Sequence, residues 1–159
     1  MRWIAGSLLC ALALIGCDAK RVFEDNVEFH DRGWPVNQPA HFTFQITDTT
    51  LRYDVSLTVR NTLDYPYARL FVNCDLRTAD GASLTHQLTT CNLFDQKTGA
   101  PFGESGLGDI FDHRFPLLRG FAFRHPGNYQ IEAQQYMRLD TISGILAVGL
   151  RVEKLDPKK

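Results

Sequence analysis

Leu14-Ile15-Gly16-Cys17 sets two apolar residues and a small one directly before a cysteine. The chemistry that order permits is acylation of the Cys17 sulfur and cleavage between Gly16 and Cys17, so that Cys17 becomes a lipidated N-terminus. The upstream stretch fits. Arg2 supplies a short positive region, and Ile4 to Ile15 is apolar apart from Ser7, the layout of an export peptide. That run is too short to span a bilayer, which takes about 20 apolar residues. An uncleaved anchor or an ordinary secretory peptide is the alternative reading. Acyl chains contributing about 0.8 kcal/mol per buried methylene hold a protein at a membrane without a transmembrane helix.

Other residues with chemical capacity read more blandly. Asp109, Asp112 and His113 lie in and after a glycine-rich stretch, Gly103 to Gly108, and two carboxylates with an imidazole suit a metal. Adjacent residues on a strand point to opposite faces, however, which separates Asp112 from His113. Asp109 in a turn bonds neighbouring backbone amides. Ser105 lacks the G-x-S-x-G spacing of a nucleophile elbow. His30, His41, His86 and His125 stand apart. The sequence therefore predicts no catalytic residue, no metal and no cofactor.

Cys10 leaves with the export peptide, and Cys74 and Cys91 remain. In an oxidising compartment they form one disulfide, or else two buried free thiols. Closing a loop of about 17 residues contributes on the order of 3 kcal/mol. A two-residue Asp80-Gly81 hairpin turn would put Cys74 opposite Gln87, too far from Cys91. A bridge directly across the pair needs a four-residue loop or a bulge.

Aromatic residues are the remaining resource. Tyr65-Pro66-Tyr67 lies in a turn between two strands, where a rigid loop presents rings to a sugar or a protein groove, unless one tyrosine folds back into the core with its hydroxyl on backbone. Arg60 beside this turn braces it or binds a carboxylate, and Trp34 is a further contact candidate.

The elements that position these residues repeat with a period of two, the mark of half-buried strands. The runs are Phe42, Phe44, Ile46; Tyr53, Val55, Leu57, Val59; Leu70, Val72, Cys74, Leu76; a weaker Leu84, His86, Leu88, Thr90; Phe121, Phe123; Tyr129, Ile131, Ala133, Gln135, Met137; and Leu146, Val148, Leu150, Val152. Pro, Gly, Asn and Asp clusters punctuate them. Leu139 to Ile145 is the best candidate for a turn or two of helix. This pattern predicts an all-β, single-domain, two-sheet sandwich of jelly-roll type with about eight strands. Residues 1–16 are the cleaved signal peptide, 17–26 the lipidated N-terminus and tether, and 27–159 the sandwich domain. A net charge of −1 offers no basic field for nucleic acid.

The stretch YDVSLTVRNTLDYPYARLFV, the loop GLGDIFD and the run FRHPGNYQIEAQQYMRLDTISGILAVGLRVEK, together with VFED, Trp34 and Phe42 to Asp48, resemble in collinear order the GldH gliding-motility lipoproteins of Bacteroidota. The chain departs from that pattern around Phe102 to Ser105, where a Trp is expected, and in its Cys74 and Cys91 pair. The resemblance implies a cell-envelope lipoprotein associated with the gliding apparatus, in a group whose motility is linked to type IX secretion. It carries over no catalytic residues. The expectation is a non-enzymatic protein, membrane-bound through its lipid, that docks to protein components of that apparatus on the periplasmic leaflet of the outer membrane. A glycan- or peptidoglycan-binding lipoprotein is the alternative. Exposed coplanar aromatics on a concave sheet would favour sugar, and a flat apolar patch a protein.

Overall fold

The computed structural model describes residues 18–155, so Gly16 and Cys17 lie outside the described residues. Its strands are β1 (Arg21–Glu28), β2 (Gly33–Pro35), β3 (Ala40–Ile46), β4 (Tyr53–Thr62), β5 (Arg69–Thr78), β6 (Ser83–Asn92), β7 (Glu104–Ser105), β8 (Ile110–Phe121), β9 (Gly127–Gln135), β10 (Thr141–Ser143) and β11 (Ile145–Lys154), with a 3-10 turn at His30–Arg32. Eight of them have seven residues or more, and these, with the two-residue β7, build two antiparallel layers. One is ordered β1-β11-β4-β8-β7, the other β3-β9-β5-β6, and β10 pairs with β2 as a separate flap.

Alternation explains the layers. Tyr53, Val55, Leu57 and Val59 of β4 and Val148, Leu150 and Val152 of β11 are buried, as are Phe42, Phe44 and Ile46 of β3, Leu70, Val72 and Leu76 of β5, and Tyr129 and Ile131 of β9. Each fully buried side chain of this size stabilises the fold by about 1.5–3 kcal/mol. The two inner faces meet in this core.

Three expectations need correction. The stretch assigned to a tether holds β1, which pairs with β11 from Arg21↔Glu153 to Glu28↔Ala147. Four of its eight residues are charged and six are exposed because it is an edge strand, with only Phe23 and Val27 leaning on the core. Leu139 to Ile145 forms no helix; it carries β10, whose Ile142 faces Trp34 of β2. Trp34 is no contact residue, being fully buried. It stacks on Phe29 at 5.1 Å and donates from Nε1 to the Gln38 carbonyl at 2.9 Å.

Strand direction sorts the connections into two poles. At the first lie Asp18, the 47–52 turn, the 79–82 turn, the β8–β9 connection and Leu155. Arg52 donates to the Gly120 carbonyl at 3.2 Å, the Leu155 amide to the Arg52 carbonyl at 2.7 Å, and the Lys154 amide to the Lys20 carbonyl at 2.8 Å. Phe44, Tyr53, Phe121, Phe123 and Tyr129 plug this pole with ring contacts of 4.5–6.1 Å. The segments 29–39, 63–68, 93–103, 106–109 and 136–144 gather at the opposite pole. With about 3.3 Å per residue, a strand of β4's length separates the poles by about 30 Å.

Candidate functional site

The second pole is a crown of connections tied to one another. The Thr62 amide donates to the Gly144 carbonyl at 2.9 Å, the Leu63 amide to the Asp109 carbonyl at 2.8 Å, and the Gly144 amide to the Arg32 carbonyl at 2.7 Å. Gly144 makes this possible. Its φ is +82°, and a Cβ there would stand 2.7 Å from the Tyr65 Cα, so only glycine fits. Tyr65 folds back: it is buried, stacks on Phe94 at 6.4 Å and donates its hydroxyl to the Arg69 carbonyl at 2.8 Å. Burial pushes the pKa of that hydroxyl up. Tyr67, its ring edge-on to Tyr65 at 5.8 Å, stays 42% exposed.

Leu63, Tyr136 and Leu107 join Tyr67 outside, Leu107 at 91% exposure. Apolar loop tips on a hydrogen-bonded base are what a protein-binding surface needs, because ordering costs are met before contact. Leu107 and Tyr136 carry no periodic signal, so no alternation could have pointed to them.

The outer face of the five-stranded sheet holds a second feature, a cleft of about 690 Å³, within the range of about 300–1,000 Å³ common for ligand sites. Thr58, Ala147 and Gly149 line its floor, Glu24 and Asn26 one side, Phe102 and Glu104 the other. Two glycines allow these walls to close. A Cβ on Gly149 would stand 2.4 Å from Thr58 Oγ1 and 2.8 Å from the Asp25 carbonyl, and one on Gly103 2.6 Å from His113 Nε2.

Arg60 crosses the cleft edge to Asp112, with Nε and Nη2 donating to its two oxygens at 2.8 and 3.3 Å. Arg60 thus braces Asp112 and is separate from Tyr65 and Tyr67. His113 faces the other way, buried and stacked on Phe115 at 5.8 Å, with Nε2 making no hydrogen bond among the described residues. Burial lowers its pKa, and the Asp112 charge only partly opposes this. Among the described residues no three His, Cys, Asp or Glu side chains gather as metal ligands.

Cys74 and Cys91 are two free, buried thiols rather than a disulfide. The register explains it: Cys74 lies opposite Gln87 and Cys91 opposite Leu70. Burial pushes the Cys74 thiol up to about 12 and raises Cys91 as well.

Next to the expected lipidation site, Asp18 is already part of the fold. Its carboxylate pairs with Arg151 and accepts from the Lys20 amide at 3.2 Å, and its carbonyl accepts from the Arg21 amide at 3.1 Å. Arg151 also reaches Glu24 at 2.8 Å and Glu153 at 2.7 Å.

Comparison with known proteins gives this arrangement a context. A model of the family described as GldH lipoprotein matches residues 21–152. The chain is similar to a gliding motility lipoprotein GldH homolog of Christiangramia forsetii, 28% identical over 150 residues with 88% of each chain covered. It is also similar to the gliding motility lipoprotein GldH of Flavobacterium johnsoniae, 26% identical with 94% of each chain covered. No solved structure matches it.

Proposed function

This chain belongs to the GldH lipoprotein family, and on that premise we propose that it is a non-enzymatic envelope lipoprotein, anchored through Cys17, that docks to protein components of the gliding or type IX secretion apparatus. The observation that carries this reading is the pairing of opposite poles: the chain enters the fold at Asp18 on one, and the exposed apolar tips Leu63, Tyr67, Leu107 and Tyr136 stand on the other. A lipid anchor at the first pole directs the crown away from the membrane, where a partner reaches it. The periplasmic leaflet of the outer membrane is the proposed location.

A photo-crosslinking residue at Leu107 in the lipidated protein, in its native host, tests this. Near-stoichiometric capture of gliding or secretion components, lost when Tyr67 and Tyr136 are changed to Asp, is the expected result. Capture of no such component from the crown would refute the docking role.

The cleft favours a second reading, glycan binding. Its lining mixes Arg60, Asp112, Glu24, Asn26 and Thr58 with one exposed ring, Phe102, and paired charges keep spare donors and acceptors for hydroxyl groups. The single ring falls short of the coplanar aromatics that a sugar platform uses. Titration of peptidoglycan fragments into the mature protein, with Arg60→Gln as control, separates the two readings.

A further inference from the structure

The chain has a net charge of −1, yet the pole beside Asp18 is basic. Arg52, Arg119 and Arg124 are exposed there, next to Lys20 and the half-buried Lys154. Four acids of the same pole keep their charge but turn to internal donors: Asp18 to Arg151, Asp48 to the Thr50 amide at 2.8 Å, Asp54 to the Gly120 amide at 2.7 Å, and Asp80 to Thr78. Arg119 and Arg124 have no side-chain hydrogen bond or ion pair among the described residues. Val22 and Leu155, 39% and 36% exposed, add apolar surface beside them. No spacer intervenes, because the fold begins one residue after Cys17.

We propose that this pole is a membrane-seating surface, in which Arg52, Arg119 and Arg124, with Lys20 and Lys154, rest on the anionic headgroups of the bilayer that holds the acyl chains. The proposal rests on the reading of Cys17 as the lipid anchor and adds an orientation to it. Basic groups within a Debye length of a negative leaflet are attracted to it, and acyl chains one residue away keep the pole inside that distance. The domain then stands upright, with β1 and β11 along the membrane normal and the crown pointing into the aqueous space.

The test uses the acylated protein on vesicles of phosphatidylcholine with one third phosphatidylglycerol and a spin-labelled lipid as quencher. A fluorophore is attached at Ala122→Cys, in the β8–β9 connection, or at Leu107→Cys in the crown; Cys74 and Cys91 are buried and stay unlabelled in the native fold. The expected result is strong quenching at position 122 and none at 107. Arg119→Gln with Arg124→Gln, or about 0.5 M salt, which shortens the screening length to a few Å, removes at least half of the quenching at 122. Equal quenching at both positions, or none at 122, in a sample whose intact mass shows the acyl chains overturns the seating and leaves the anchor standing. A mass without acyl chains removes the anchor, and the seating with it.

Discussion

Gly144 shows how one missing side chain holds the crown together. With φ at +82° and the Tyr65 backbone 2.7 Å from where a Cβ would stand, Gly144→Ala both strains the backbone and pushes two connections apart. The expected cost is about 2–3 kcal/mol in denaturant unfolding, by the measure of other strained sites; a loss under about 0.5 kcal/mol, the scale of an ordinary surface change, would show that the crown gives way freely. The thiols make a second prediction. Burial raises both pKa values, so Cys74 and Cys91 should resist a thiol reagent in the native protein and both react in the denatured, unreduced one. Labelling of neither after denaturation would restore the disulfide. His113 gives a third. Its folded pKa lies below the ordinary 6.5 because burial disfavours the charged form. The unfolded chain therefore takes up the proton first, and His113 contributes stability that is complete above pH 6.5 and lost as pH falls through the folded value. His113→Phe should flatten the decline of Tm between pH 6.5 and 5; parallel curves would exclude this origin. Of these residues, the sequence pointed to the fold-back of one tyrosine and to the separation of Asp112 from His113. It misjudged Trp34, because a lone tryptophan carries no period that tells core from surface.

Strands that alternate cleanly were legible. β3, β4 and β5 bury the residues expected of them, as do β9 from Tyr129 to Gln135 and β11 from Val148 to Val152, since an inner face needs apolar side chains at every second position. Leu146 is half-buried instead, because a register shift between Ile145 and Ala147 puts Ile145 in the core in its place. β1 and β8 were not. β1 is an edge strand with acidic residues on both faces, and β8 carries Pro116, Gly120 and irregular pairing with β4 between Tyr53 and Ser56, devices that disrupt alternation and also protect a sheet edge. The cleft was illegible for the same reason, since it is walled by β1 on one side and by the short β7 segment on the other. Gly149 is the test at this scale. A side chain there meets Thr58 and the Asp25 carbonyl, so Gly149→Val should detach β1 from β11 and destabilise the fold by about 1–3 kcal/mol, as overpacking does. Amide exchange confined to residues 21–28 would rise first; protection of β1 equal to that of β4 would contradict it.

At the scale of the molecule, β1 is the mechanical link between the anchor proposed at Cys17 and the fold. It enters at the first pole and runs antiparallel to β11 towards the second. A load between Asp18 and the crown therefore pulls β1 along its own axis and strains its ladder hydrogen bonds together, in shear. A load between Asp18 and Leu155, which leave neighbouring strands at the same pole, peels the same ladder open one bond at a time. Single-molecule pulling should accordingly need a higher force from Asp18 against Leu107 than from Asp18 against Leu155, and equal forces would mean that β1 is not the bearing element. A protein held by lipid at one end and by a moving partner at the other would feel the first of these loads, so the strand that resembled a tether is the part shaped to resist tearing.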